Sequence, residues 1–517
     1  MNGHRLGIDV GGTNTDAVIL DASDDPIAKT KTTTTEDISS GILNALDEVL
    51  SQAEISGDDL EYVMLGTTHA TNAIAERKGL NDVGVIRLGA PATRSIRPLL
   101  EWPDDLSAAI GDDIAILDGG HEFDGRELNA IDEAEIRDQV RAFDHVDAFA
   151  VTSVFSPVRE DHEERVAEIV HEELGEEVPV SLSHEIGSVG LLERENATAL
   201  NAALTSVAAE AAQAFIDAMD ERSIDAQLYF GQNDGTLMSV EYALEYPIFT
   251  VASGPSNSVR GAAYLSGIEN GIIVDVGGTT TDVGALTDGF PRESSVAVEI
   301  GEVKTNFRMP DLIALGIGGG SHVTVDSEGE VTVGPESVGY RLTEEARCFG
   351  GETLTATDVE VATSGVDIGS NRPTVDERTA TRARDYIRTE VERAVDRMKT
   401  SPEPVPVVVV GGGSILVPTD LEGASEVYKP DHYEVANAVG VAIAQVSGEV
   451  DRIYSLDDQT RDEAMDDAKS EAKSKAVEAG ADVETVEIFD VQEVPLSYLP
   501  GNAVRIKVKA AGQLDHE

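Results

Sequence analysis

"DVGGTNTD", read from Asp9 to Asp16, returns as "DVGGTTTD" from Asp275 to Asp282, roughly half the chain away. Each copy sits between β-type runs. "RLGID" (Arg5 to Asp9) leads into the first Gly-Gly turn and "TDAVIL" (Thr15 to Leu20) leaves it. A "DASDDP" turn and the β-branched "IAKTKTTT" follow, so the opening reads as three strands joined by tight turns. The second copy repeats the plan in "GIIVDVGGTTTDVGALTDGFPRESSVAVEI", with its second turn at Asp288–Gly289. The separation is too long for a solenoid repeat and suits two halves of one architecture facing each other.

At the end of a buried strand, two glycines let the backbone turn tightly and approach a ligand without Cβ obstruction. Successive N–H groups then form a concavity that favours anions. Thr13, Asn14 and Thr15 add side-chain donors on one wall, and Thr279, Thr280 and Thr281 on the other. Asp9 and Asp275 end their strands beside these loops. A carboxylate repels phosphate unless a cation lies between them, so the pair implies Mg²⁺, held partly through water. Two such cradles can hold the β- and γ-phosphates from both sides, one Asp organising the metal and the other orienting or deprotonating an attacking group.

The rest of the composition agrees. Among 517 residues, 97 acidic against 38 basic give a net charge of −59. No basic run exists to hold a phosphate backbone, which excludes nucleic acid as a partner. The acidity is spread along the chain, and Arg outnumbers Lys more than twofold. Such a surface stays hydrated in concentrated salt, as in a salt-accumulating halophile. The single cysteine, Cys348, excludes an intrachain disulfide and a Cys-based zinc site. It reads as a packed small residue. With no leader and no apolar run long enough to span a bilayer, the expected location is the cytoplasm.

Elsewhere, "SSGILNALDEVLSQA", "REDHEERVAEIVHEEL" and "RDEAMDDAKSEAKSKAVEAGA" have helical periodicity, and "EIGSVGLLERENATALNAALTSVAAEAAQAFIDAM" reads as a long helical crossover. "YVMLGTTHATNAIAERKG" gives a strand, then a helix capped by Thr67 or Thr68. "VDAFAVTSV" and "VPVVVVGGGS" are buried strands, the second ending in Gly411, Gly412 and Gly413. "YEVANAVGVAIAQVSGEV" reads as an apolar interior helix, and "VETVEIFDVQEVPL" and "NAVRIKVKAAG" as strands.

The paired hairpins resemble the superfamily of sugar kinases, acetate kinase, actin and the large heat-shock chaperones. More closely, "LGIDVGGTNTDAV", "LGTTHATNAIAERKG", "ASGPSNSVRGAA", "DVGGTTTDVG", "LGIGGGS" and "VGPESVG" occur in the order seen in the hydantoinase A / ATP-dependent 5-oxoprolinase family, in its compact form. The resemblance implies an α/β fold: two ribonuclease-H-like (actin-like ATPase) domains facing a nucleotide cleft, plus a small C-terminal α/β domain. The expected divisions are 1–185 for the first ATPase domain, 186–265 for a helical connection, 266–456 for the second ATPase domain and 457–517 for the small domain. Carried over by position, Asp9 and Asp275 are the metal and catalytic carboxylates. Gly11, Gly12, Thr13, Asn14, Thr15, Gly277, Gly278, Thr279, Thr280 and Thr281 bind phosphate, and Gly411 to Gly413 lie under adenosine. Asp16 and Asp282 either orient their neighbours or cap the hairpins. Thr67, Thr68, His69 and Asn72 are substrate candidates, with His69 equally readable as a half-buried helix-start residue.

In function the resemblance implies ATP- and Mg²⁺-dependent opening of a cyclic amide or imide, such as a hydantoin or 5-oxoproline, through phosphorylation of its carbonyl oxygen. It also implies assembly with a hydantoinase B-type subunit. A small-molecule kinase and an ATP-driven reactivase of a partner enzyme stay open as alternatives. Two stretches depart from the family pattern. "PDLIALGIGGGS" has Ile313 where relatives carry a His after Asp311, and "SGPSNSVRG" lacks the usual glycine pair and brings Arg260 nearby. Arg260 either holds a substrate carboxylate or makes a surface ion pair. "GIGGGSH" faces nucleotide or substrate, a choice the sequence leaves open.

Overall fold

Both Gly-Gly turns close antiparallel hairpins in matching register. Strand His4–Val10 pairs with Asn14–Leu20, placing Asp9 opposite Asp16 and Val10 opposite Thr15. Strand Gly271–Val276 pairs with Thr281–Thr287, placing Asp275 opposite Asp282 and Val276 opposite Thr281. These features come from a computed structural model that describes every residue except 1–2, 35–37, 295–297, 308, 457–458, 497–501 and 515–517. The expected division at 456/457 and parts of the stretches read around 295–297 and 497–501 fall outside the described residues.

Each hairpin is extended in the same way. A third antiparallel strand lies outside it, Pro26–Thr33 in the first half and Phe290–Pro291 in the second. On its other side runs a parallel strand, Leu60–Thr67 or Val405–Val410, and then a further parallel strand, Gln227–Gly231 or Ala424–Tyr428. Counted within each half, both sheets follow the order 3-2-1-4-5. This is the ribonuclease-H-like arrangement, and the two halves are the expected pair of actin-like ATPase folds.

The chain divides differently from the sequence reading: Gln227–Gly231 and Leu237–Ser239, within the expected helical connection 186–265, and Val446–Tyr454, within the expected second ATPase domain 266–456, are all strands of the first sheet. Strands Glu487–Pro495 and Val504–Gly512 were expected in a small separate domain, but they extend the first sheet to nine strands. Val446–Tyr454 and Leu237–Ser239 join them to it. Helix Arg461–Glu478 covers this extension with Ala464, Ala468, Ala472 and Ala476 buried. That alanine row permits close packing, since a Cβ on Gly448 would overlap Ala476 N. The apolar run from Tyr433 also proves shorter as a helix: Ala436–Ala442 is helical, and Val446 starts a strand. A run with no polar alternation carries no period to separate the two forms.

A second parallel sheet of four strands lies within the first half, in the order Ile114–Asp118, Val83–Ala90, Ala148–Ser153, Val180–Leu182. Between it and the nine-stranded sheet runs the 31-residue helix Leu191–Glu221. Ala199, Leu200 and Phe215 of this helix share one core with Leu6 and Ile8 on one side and Val85 and Ala150 on the other. A helix buried on both faces needs apolar residues around most of its circumference, which explains its weak amphipathicity.

Two helices pass between the halves, Ser253–Ser266 and Ala436–Ala442. They cross at glycines. A Cβ on Gly261 would overlap Ala436 O, and one on Gly440 would overlap Asn257 O. The contact is therefore backbone against backbone, and it fixes the position of the side chains these helices send to the hairpins.

Candidate functional site

The two glycine loops form opposing walls of a cleft of about 430 Å³. Gly11 to Asn14 line one wall and Gly277 to Thr280 the other, with Gly411 and Gly412 at one end. Each loop is closed by the same hydrogen bond: Gly11 N–H donates to Asn14 O at 3.0 Å, and Gly277 N–H to Thr280 O at 2.9 Å. The walls approach closely, since a Cβ on Gly278 would lie 3.0 Å from Thr13 Cγ2. Gly12 faces open space, leaving its backbone available to a ligand.

Beneath the loops lie four carboxylates whose surroundings are built by distant parts of the chain. Asn257 Nδ2 donates to Asp9 Oδ1 at 3.2 Å, and Asn437 Nδ2 donates to Asp9 Oδ2 and Asp16 Oδ2, both at 2.8 Å. Lys31 Nζ holds both oxygens of Asp16, at 2.6 and 2.7 Å. On the other wall Ser258 hydrogen-bonds Asp275. Asn257 and Ser258 are neighbours on one helix, so a single turn of it reaches the leading Asp of both hairpins. Each leading Asp also needs a glycine beside it. A Cβ on Gly66 would overlap Asp9 Oδ1, and one on Gly411 would overlap Asp275 Oδ1.

Burial dominates the electrostatics. It pushes the Asp9 carboxyl up to about 6, helped by the charge of Asp16 and opposed by the two Asn amides. Asp16 and Asp275 are also raised by burial, against the pull of Lys31 and, for Asp275, the Ser258 hydrogen bond. Asp282 reaches about 7 through burial and the charge of Asp275. A group of carboxylates held above its ordinary range by desolvation is stabilised by an arriving cation. The oxygen donors suit a hard ion such as Mg²⁺, and the loop N–H groups suit phosphate, so these residues fit a metal-bound nucleotide.

Several expected site residues lie elsewhere. Thr15 and Thr281, expected at the phosphates, are buried behind the loops. Thr15 Oγ1 faces Thr34 Oγ1 at 3.3 Å, and Thr281 Oγ1 donates to Ile317 O at 2.6 Å. Gly413, expected under adenosine, is tucked beneath the second loop, with its N–H donating to Val276 O at 2.7 Å. Among the substrate candidates, Asn72 lines the cleft. Thr67 and His69 line a separate cavity of about 20 Å³ with Val207, Ala211 and Phe230. Thr68 Oγ1 donates to Val10 O at 3.2 Å. Burial lowers the His69 pKa and so favours its neutral ring.

The "GIGGGS" loop does not line the cleft. It backs the second glycine loop, with Gly319 N–H donating to Gly277 O at 3.0 Å and Gly320 N–H to Gly278 O at 2.7 Å. Arg260 turns away from the cleft, its guanidinium 4.0 Å over the Phe290 ring and bonded to Gly289 O. Asp311 pairs with Arg292 at 2.6 Å. Cys348 is buried, which pushes its thiol up to about 12.

Sequence reading missed Lys31, Asn257, Ser258, Asn437 and Tyr340, the last lining the cleft beside Gly339. Only Asn437 carried a local signal, an amide set in the apolar run "NAVGVAIA".

Comparison with known proteins agrees with this architecture. Residues 5–174 match the hydantoinase/oxoprolinase N-terminal region and residues 194–367 match hydantoinase/oxoprolinase, together about two thirds of the chain. The acetophenone carboxylase gamma subunit of Aromatoleum aromaticum is 29% identical over 388 residues, covering 69% of this chain and 53% of the relative. Caprolactamase subunit alpha of Pseudomonas jessenii is 28% identical over 387 residues, covering 69% and 54%. The chain thus spans about half the length of these curated relatives. Among solved structures, the ATP-dependent caprolactamase of Pseudomonas jessenii superposes with a TM-score of 0.74 at 21% identity, over 99% of this chain and 88% of that one. Nucleotide-free acetone carboxylase does so with a TM-score of 0.71 at 18% identity, over 100% and 88%. No helix among the described residues is long and apolar enough to cross a membrane. The chain belongs to the hydantoinase/oxoprolinase family.

Proposed function

We propose that this chain uses ATP and Mg²⁺ to open a cyclic amide or imide of the hydantoin or 5-oxoproline type. The observation that carries the reading is the pair of carboxylates that end the two hairpins' first strands, Asp9 buried and Asp275 half-buried at the cleft between the opposing glycine loops. ATP supplies the phosphoryl group that turns an unreactive amide oxygen into a leaving group. The N–H groups of Gly12 and Thr13 on one wall and of Gly278 and Thr279 on the other would bind phosphate oxygens, since those of Gly11 and Gly277 close their own loops, and the Thr13, Asn14, Thr279 and Thr280 side chains add donors. Asp9 and Asp275 hold the cation. The Asn257 and Asn437 amides donate to the two Asp9 oxygens and so fix the orientation of the carboxylate, because an ionised carboxylate only accepts. Asp275, with one hydrogen bond from Ser258, is the freer of the two and takes the proton of the attacking group. Gly411 and Gly412 lie on the adenosine side, and Asn72 faces the substrate.

A second subunit of the hydantoinase B type completes the enzyme. Supporting this, relatives are named as subunits of acetophenone carboxylase and caprolactamase. The surface acidity supports a cytoplasm rich in salt.

The carboxylase relative, as similar as the caprolactamase one, favours a second reading in which the oxygen activated belongs to a ketone. One assay separates these readings and the kinase and reactivase alternatives. ATP turnover by the chain with its partner subunit is measured with hydantoins, lactams, 5-oxoproline and ketones, and products are followed by phosphorus and carbon NMR. A ring-opened acid with ADP and phosphate supports the proposal. Turnover that needs a ketone and bicarbonate, a stable phosphorylated product, or stimulation by protein alone each contradicts it.

A further inference from the structure

Outside the cleft, the four-stranded parallel sheet carries a group of side chains that phosphoryl chemistry does not use. Its chain path runs from Val83–Ala90 outward to Ile114–Asp118, then back across to Ala148–Ser153 and on to Val180–Leu182. Connections leave the two central strands in opposite directions. The crevice beyond the carboxyl ends at such a switch point is where open α/β sheets hold ligands.

Gly119, Gly120 and His121 lie across this crevice. His121 N–H donates to Val154 O at 2.9 Å. A Cβ on Gly120 would lie 3.0 Å from Val154 Cβ and 3.1 Å from Leu88 O, so the loop hugs the ends of both central strands. With φ at 145° and 86°, Gly119 and Gly120 adopt backbone conformations that favour glycine. The result is to set the His121 ring against the start of helix Asp161–Leu174, its centroid 4.3 Å from that of His162. Ligating atoms of His121, Asp161 and His162 all lie within 4.8 Å of one another.

The polar atoms there are left wanting. His121 is fully buried, yet neither ring nitrogen has a hydrogen-bond partner, and neither does Asp161 Oδ1. The 3.2 Å approach of His121 Nε2 to that oxygen lacks hydrogen-bond geometry. Buried polar atoms rarely go unpaired without a reason. His162 is prepared differently: Nδ1 accepts from Gly120 N–H at 3.0 Å and Nε2 meets Glu127 Oε1 at 3.1 Å. That pattern puts the proton on Nε2 and the lone pair on Nδ1. A carboxylate holding the far nitrogen of a ligating His is the usual support in metal sites. Arg159 occupies Asp161 Oδ2 at 2.8 Å and leaves Oδ1 to point at His121. Two carboxylates here disfavour an anion. Two imidazoles with a carboxylate suit zinc and other late first-row ions, and not Mg²⁺ or Ca²⁺, which prefer oxygen.

We infer that His121, Asp161 and His162 form a binding site for a zinc-class divalent cation, with Glu127 holding the His162 ring. Bound through Nδ1, the ion takes the place of Gly120 N–H on His162. Three protein ligands leave a fourth position open, and the half-exposed Asp161 provides the way in from solvent.

The test uses the full chain, dialysed with Zn²⁺ and then against metal-free buffer, with metal content read by mass spectrometry. One zinc per chain is expected, and none in His121→Ala or Asp161→Asn. Glu127→Gln retains zinc with affinity about 10-fold lower. The same stoichiometry is expected in an Asp9→Asn/Asp275→Asn background, which removes the cleft as an alternative binder. Cobalt loading of the unaltered chain should give visible bands and paramagnetically shifted imidazole protons, so the site stays testable even if His121→Ala does not fold. No metal on the unaltered chain, full stoichiometry in a folded His121→Ala, or loss with Asp9 and Asp275 would each overturn the inference.

Discussion

The two hairpins share a register, a loop-closing hydrogen bond and a glycine against the leading Asp, yet their trailing carboxylates are treated in opposite ways. Asp16 is clamped by Lys31 and shares Asn437 with Asp9. Asp282 has no cation within ion-pair distance among the described residues, and its carboxyl is pushed up to about 7 by burial and by Asp275. The duplicated backbone therefore makes two cradles of unequal charge. The first half is neutralised from within by a lysine and two amides. In the second half Asp275 has the Ser258 hydrogen bond and the more distant pull of Lys31, and Asp282 has neither.

Substitutions break this comparison to different degrees. The largest effect should come from the leading carboxylates: Asp9→Ala and Asp275→Ala each lower ATP turnover about 10²- to 10⁴-fold, measured by phosphate release. Next comes the helix crossing that carries the amides to Asp9. Gly440→Ala drives a methyl into Asn257 O and should cost about 3 kcal/mol in urea unfolding, with turnover falling as Asn257 and Asn437 shift. Lys31→Met leaves Asp16 buried without its cation. Because Lys31 is 30% exposed at its side chain, the expected loss is on the order of 2 kcal/mol at pH 7, below that of a fully buried pair. It makes the first cradle resemble the second.

Asp282→Asn is the smallest change and has the opposite sign. The folded-state pKa of Asp282, about 7, stands above the ordinary 3.8, so the native protein keeps a proton that the unfolded chain releases. Its contribution to stability is present below about 4, falls as pH rises to about 7 and is flat beyond. The Asn variant escapes this loss. It should be more stable than the unaltered chain at pH 8, with the gap vanishing near pH 4 in thermal melts; no gap at pH 8 would mean that Asp282 is compensated after all.

Much of this was legible in the sequence, for a local reason. The hairpins and the strand before Gly411 follow from short patterns in which turn chemistry and β-branched runs agree. The helix Leu191–Glu221 and the alanine-studded Arg461–Glu478 were equally plain. What failed was non-local. The partners of Asp9 lie 248 and 428 residues away, beyond the reach of any spacing argument. Thr15 and Thr281 belong to the repeated motif, but which face of a strand meets the cleft depends on the sheet around it. Val446–Tyr454 continues an apolar run whose helix and strand readings differ only in tertiary context. His69 sits in a motif that invites a substrate role, yet it lines a neighbouring cavity with Val207 and Phe230, its Nδ1 at Thr67 Oγ1.

The central claim is that both halves hold one metal-bound nucleotide between Asp9 and Asp275. Calorimetric titration of ATP in molar KCl, with and without Mg²⁺, tests it on the unaltered chain, Asp9→Ala and Asp275→Ala. The account predicts binding that requires Mg²⁺ and weakens in each variant alone. Binding that ignores Mg²⁺, or that survives unchanged in either variant, would contradict it.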